Sequence, residues 1–188
     1  MQFFCIKSCS FKKKERLDRY NSYKNKMHLK ALVSQHQHVF REKVTRMFAD
    51  KHKMSIDDVV ARYSDVIERY VREKYRGVER AVSTILSYHR PVVLSIIRDP
   101  CDANICRICE RDKPNIERLR QLYGDRIAFY VLFDSLPEAA IYHIIHQGKG
   151  EKLLPLSAII NSNGEVIKYW SGRPVTVDEY REYLDPIV

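Results

Sequence analysis

Pro91-Val92-Val93-Leu94-Ser95-Ile96-Ile97, followed after eight residues by Cys106-Arg107-Ile108-Cys109, is the stretch whose reading decides the fold of this chain. The first part is a continuous run dominated by β-branched residues, the pattern of a central strand buried on both faces. Cys106 then opens a helical pattern that runs to Leu122 and is ended by Gly124. Residues 127–133 (IAFYVLF) form a second buried strand, and residues 136–147 read as a helix closed by Gly148 and Gly150. Residues 156–160 and 165–170 flank Asn161-Ser162-Asn163-Gly164. Asn-Gly supplies the positive φ angles of a tight hairpin turn. Residues 177–184 give a closing helix. The order β-α-β-α-β-β-α implies a mixed sheet covered by helices, an α/β fold.

Upstream of this block the period is helical. Leu29, Leu32, Val33, Phe40, Val44, Met47 and Phe48 recur at helical spacing across residues 28–51, without proline or glycine. Ser55 is a good N-cap, and Asp57 and Asp58 meet the positive end of the helix dipole. Val59, Val60, Tyr63, Val66, Ile67 and Tyr70 form one stripe as far as Glu73. Gly77 marks an expected break, after which Val78, Val82, Ile85 and Leu86 predict a third helix to Tyr88. Residues 1–26, with Lys12-Lys13-Lys14 and few aliphatic side chains, have little apolar surface to offset the entropy of ordering. The expected division is therefore a flexible basic tail over 1–26, a helical extension over 27–75 and the α/β domain over 76–188. Met27 and Met54 each precede a stronger helical pattern, which leaves the translation start open.

The 188 residues carry 45% apolar and 30% charged side chains, which suits a soluble globular chain, and the longest apolar runs stop far short of the ~20 residues needed to span a bilayer. The short apolar start is followed, not preceded, by its positive charges, unlike a secretory signal. A cytoplasmic protein without membrane association is the expectation. Charge is uneven: residues 1–90 hold 21 Lys+Arg against 10 Asp+Glu, net +11, and residues 91–188 hold 12 against 14, net −2. Such a basic segment suits nucleic acid, an anionic membrane or an acidic partner, and equally a solvated helical surface. Its tyrosines, Tyr20, Tyr23, Tyr70 and Tyr75, would suit nucleic-acid contact, but no nucleic-acid-binding module is recognisable. The apolar stripes favour packing or docking of a protein partner over nucleic acid.

A CxxC between the first strand and the following helix resembles the active-site dithiol of the thioredoxin superfamily, and further landmarks over residues 78–186 agree. Pro114 follows Cys109 by five residues, where that family has a kinking proline. Leu153-Leu154-Pro155 before the strand at 156–160 resembles its cis-proline segment. Asn163-Gly164 matches its hairpin, and Gly172 with the helix at 177–184 its closing elements. The resemblance implies a thioredoxin-like fold and a thiol-disulfide oxidoreductase without cofactor, acting on protein disulfides. Cys106 would be the attacking thiolate, favoured at a helix N-terminus, and Cys109 the resolving thiol. Pro155 would face the dithiol in cis, and the Leu154 backbone would pair with an extended substrate. Departures are Ile105 where the family has Trp, Ser95 where it has a buried Asp, and Val131 in place of that Asp's Lys partner. The alternative is a redox-inactive thioredoxin-fold protein that docks partners through its basic helices.

The loop before the dithiol adds Cys101. It reads either as a regulatory or resolving thiol or as an exposed loop residue. Cys101, Cys106 and Cys109 also open a plant-type iron-sulfur spacing, but no fourth cysteine follows. Zinc completed by a histidine is a further alternative, and the primary expectation is no metal. His143 and His146, one turn apart, are weaker metal candidates than they are ordinary histidines, and Cys5 and Cys9 are expected to be inert.

Overall fold

A computed structural model describes residues 27–146 and 152–188. Expectations for the tail at 1–26, for Cys5 and Cys9, and for the closing role of Gly148 and Gly150 fall outside these residues. The sheet is built from β1 (Met27–His28), β2 (Val92–Ile97), β3 (Ala128–Phe133), β4 (Leu156–Ile160) and β5 (Glu165–Ser171) in the order β1-β5-β4-β2-β3. The helices are α1 (Leu29–His52), α2 (Ile56–Ser87), α3 (Arg107–Tyr123), α4 (Tyr142–Ile145) and α5 (Val177–Leu184). β2 runs parallel to β3, with α3 as the crossover, while β4 lies antiparallel to both β2 and β5. Of these five strands, β5, β4, β2 and β3 in this order and direction, with helices on both faces, make a thioredoxin-like α/β fold with a helical N-terminal region.

The β2 run is buried along almost its whole length because both faces of the sheet are covered. Alternation divides its side chains: Val92, Leu94 and Ile96 join a core with α1, α2 and α4, and Val93 joins a second core with Leu119, Tyr123, Trp170, Tyr180 and Leu184 from the α3 and α5 side. The hairpin between β4 and β5 turns on Gly164 at φ 82°, and Asn161 Oδ1 accepts the backbone N–H groups of Asn163 and Glu165. β1 adds two residues to the outer edge of β5, pairing His28 with Glu165.

The helical region differs from expectation in three places. α2 continues through Gly77 for 32 residues, about 48 Å, so the break and separate third helix expected there are absent and the expected boundary at 75/76 falls inside a helix. Gly77 is where α2 passes closest to the main chain at Pro137: an added Cβ would lie 2.5 Å from the Pro137 carbonyl carbon and oxygen. Second, the buried stripe of α2 runs Val59, Ile67, Val71, Tyr75, Val78, Val82, Ile85, whereas Val60, Val66 and Tyr70 are exposed, as is Met47 on α1. The α1–α2 pairing selects a narrower stripe than composition suggests. Third, the helix expected over 136–147 is a 3₁₀ segment, Pro137–Ile141, leading into the single turn α4. The tight approach of α2 leaves room there for little more than Ala139 and Ile141, both buried.

The closing helix shows how local sequence fixes an end. Thr176 caps α5, accepting from the Glu179 backbone N–H, while the Glu179 carboxylate accepts from the Thr176 N–H at 3.0 Å. Arg173 adds two hydrogen bonds to the same carboxylate, at 2.6 and 3.1 Å. These donors, Arg173 first, lower the Glu179 pKa from an ordinary 4.5 to about 2. A depressed carboxylate pKa stabilises the fold above the unfolded value and loses that contribution as pH falls toward the folded one. Because this side chain is partly solvated, Glu179→Ala is expected to cost only about 1 kcal/mol at neutral pH. Denaturant unfolding should show that difference shrinking below the ordinary carboxylate range; a pH-independent difference would refute the assignment.

Candidate functional site

Residues 98–105 lead from the end of β2 to α3, and Cys106 is the N-cap of that helix. Its sulfur accepts the Cys109 backbone N–H at 3.2 Å, so the thiol group occupies the place of a capping oxygen. The two cysteines are joined as a disulfide, with Cα atoms 5.3 Å apart. Their surroundings differ: Cys106 is half-buried, while Cys109 is 4% exposed. On reduction, Cys106 would face free N–H groups and the positive end of α3, which favour a thiolate. Pro114 sits inside α3, where it removes one backbone donor from the second turn.

The Leu154–Pro155 peptide is cis, both residues are buried, and Leu154 belongs to the same apolar cluster as Cys109, with Cys106 packed against it. The segment is fixed from both sides. Pro155 O accepts from Gly172 N–H at 3.0 Å, and the Tyr142 hydroxyl accepts from Leu153 N–H at 3.0 Å. Gly172, at φ 71°, lets this crossing occur, since a Cβ would lie 2.8 Å from the Leu153 Cβ. Around the dithiol, Ile105 is 81% exposed and Leu153 53% exposed, leaving apolar surface on both approaches.

Cys101 is exposed and not disulfide-bonded. It lines a shallow pocket with Asp99, Asp102, Asp134 and Ser135, and its backbone N–H is held by the Asp99 carboxylate at 2.8 Å. That carboxylate's pKa is lowered, first by the Ser135 hydroxyl and then by the Cys101 backbone N–H. His143 and His146 line an open pocket with His36 from α1, a partner that helical spacing alone does not reveal. Burial lowers the pKa values of His36 and His143. Among the described residues no group of three His, Cys, Asp or Glu side chains is arranged to hold a metal.

Ser95 is buried on β2, paired in register with Ser157 of β4, and Val131 beside it is 40% exposed on the edge strand. The buried acid is instead Asp112, 3% exposed on α3. Sequence reading passes over it because Glu110-Arg111-Asp112-Lys113 looks like a solvated run. Spacing held the signal: Cys109, Asp112, Ile116, Leu119 and Tyr123 recur at intervals of 3, 4, 3 and 4, the stripe of a core-facing helix.

No family model matches the chain, and no curated protein matches it. Among solved structures, it is similar to a DsbF homologue from Corynebacterium diphtheriae at 13% identity and a TM-score of 0.40, over 54% of this chain and 75% of that one.

Proposed function

We propose that this protein is a thiol-disulfide oxidoreductase in which Cys106 attacks and Cys109 resolves. The observation that carries the reading is a disulfide at the N-terminus of α3 whose outer sulfur caps the helix and whose inner one is buried. In the reducing direction the Cys106 thiolate bonds to one sulfur of a substrate disulfide and the other leaves as a thiolate. The Cys109 sulfur then bonds to Cys106, the mixed disulfide breaks, and two electrons have passed to the substrate. Leu154 and Pro155 form the edge against which an extended protein substrate would lie, with Ile105 and Leu153 as apolar contacts. The proposed setting is the cytoplasm, where a close cysteine pair serves chemistry more often than structure.

Equilibration in glutathione buffers of graded potential, with thiols counted by mass spectrometry, tests this. A reversible two-electron transition is expected in the wild type and in Cys101→Ser, and is expected to vanish in Cys106→Ser and Cys109→Ser. No transition, or one that follows Cys101, would overturn the reading. A second reading, a thioredoxin-fold interaction protein, is favoured by the apolar Met47, Val60, Val66 and Tyr70 exposed on α1 and α2. A partner held equally by the Cys106→Ser/Cys109→Ser double variant and lost when those four side chains are made polar would favour it.

A further inference from the structure

α1 meets α4 across an open cavity of about 370 Å³ that the reaction above does not use. Its polar wall is mostly histidine: His36 from α1, His143 from α4, and His146, the residue that ends α4. Each ring is held by aromatic neighbours. The Tyr75 hydroxyl, from α2, engages His36 Nδ1 and leaves Nε2 as the nitrogen available to the cavity. His143 stands edge-on to the Tyr142 ring, and His146 lies against the rings of Tyr142 and Tyr169, with centroids 5.3 and 5.7 Å away. His146 Nδ1 is buried and has no hydrogen-bond partner among the described residues.

The charges around these rings are of one sign. Lys152, His36, His146 and Lys74 all oppose protonation of His143, and among the described residues no carboxylate lines the cavity. Asp134, which acts on Lys152, is already paired with Arg98 at 3.4 Å. Burial first, and then these like charges, lower the His143 pKa, and burial lowers that of His36, so both rings are mainly neutral at neutral pH. A cation is disfavoured here: among the described residues no three side chains are arranged to hold a metal, and the lysines repel it. An anion reverses the balance. A negative charge beside an imidazole favours the protonated ring, whose N–H groups donate charge-assisted hydrogen bonds to an oxyanion.

We propose that this cavity binds a small organic oxyanion, with its carboxylate or phosphate group on His36, His143 and His146 and its apolar part against Leu32, Val39 and Ile144. The size is that of a small-molecule site, about 300–1,000 Å³, and the apolar residues complete the lining that such a ligand needs. Binding carries a proton onto the site, because the rings that are neutral alone become cations beside the acid group. Lys74 and Lys152 then act as attraction for the ligand, where without it they only oppose the histidines. The inference uses neither cysteine and stands apart from the oxidoreductase reading.

The test uses the full chain with benzoate and phenyl phosphate as probes, and sodium chloride at equal ionic strength as the control. Histidine ring protons are followed by NMR as pH is lowered. With either probe, His36, His143 and His146 are expected to titrate at higher pH than in chloride, while His28, His38, His52 and His89 stay where they were. Calorimetry in buffers of different ionisation heat should find proton uptake with benzoate, and affinity should tighten by up to about tenfold per pH unit for each proton taken up. His143→Gln is expected to weaken benzoate about tenfold near pH 6 by removing one charge-assisted hydrogen bond. Acetate, which has the acid group but little apolar surface, is expected to bind at least about tenfold more weakly than benzoate. Whichever probe binds more tightly identifies the acid group, and either result supports the site. No selective shift with either probe overturns the proposal, and so does an equal shift of all seven histidines, which is screening. Binding without proton uptake, binding unchanged in a folded His143→Gln, or acetate equal to benzoate would each overturn it too. If His143→Gln does not fold, the wild-type titration decides, because the four distant histidines serve as its internal reference.

Discussion

Cys106→Ser is expected to slow reduction of a protein disulfide by at least about 1000-fold, because it removes the group whose sulfur forms the first bond. The thiolate is the nucleophile in thiol-disulfide exchange, and a serine hydroxyl is neither ionised near neutral pH nor able to form the mixed disulfide. The substitution separates chemistry from folding well. Serine is among the preferred N-cap residues, so α3 keeps a side-chain acceptor for the Cys109 N–H that the Cys106 sulfur now receives at 3.2 Å. The cross-link it removes closes a loop of only three residues' separation. By chain entropy such a loop contributes about 2 kcal/mol to the oxidised protein and nothing to the reduced one. Rates should therefore be compared under reducing conditions, with circular dichroism to confirm that the helices remain. Cys109→Ser should behave differently: Cys106 still attacks, the mixed disulfide accumulates, and mass spectrometry finds the substrate attached at Cys106. Undiminished reduction by Cys106→Ser, or no trapped adduct with Cys109→Ser, would remove Cys106 from the role of nucleophile.

The strands, the hairpin and the dithiol were legible because each has a local cause. The β2 run can be buried only on both faces, the Asn-Gly pair demands a positive φ that Gly164 adopts, and a CxxC at a helix start brings two sulfurs within bonding reach. What was not legible depends on contacts between distant segments. Val60 and Val66 look like Val59 and Ile67 in the sequence, and only the direction of α1 makes one pair outer and the other inner. β1 is two residues long and has no pattern of its own; it exists because the Gly164 carbonyl accepts the Leu29 N–H at 2.9 Å and β5 offers an edge. Asp112 sits on a readable stripe, yet a carboxylate there contradicts composition. His36 joins His143 and His146 only through the packing of α1 beside α4.

Gly77→Ala sets two opposing effects against each other, and their magnitudes decide the result. Inside a helix, alanine is better than glycine by about 1 kcal/mol, so propensity alone predicts a more stable protein. The added methyl, however, would lie 2.5 Å from the carbonyl carbon and oxygen of Pro137 and 2.8 Å from its Cβ. Carbon atoms pack at about 3.5–4.0 Å, so α2 and the 3₁₀ segment must separate by roughly 1 Å. Neither side can give cheaply. The obstruction is main chain, not the end of a flexible side chain, and α2 is buried on both sides of the contact through Tyr75, Val78, Ala81 and Val82. Overpacking of this kind costs about 1–3 kcal/mol and more where the backbone is involved, so the clash outweighs the propensity gain. A net loss of about 2 kcal/mol is expected, seen as a fall in Tm of about 4–8 °C for a chain of this size. The same shift reaches the site. The 3₁₀ segment leads directly into Tyr142, whose hydroxyl holds Leu153 beside the Leu154–Pro155 edge, so disulfide reduction should fall together with stability. An equal or higher Tm for Gly77→Ala would mean that α2 does not approach Pro137 this closely in solution, and the link from the N-terminal helices to the dithiol would fall with it.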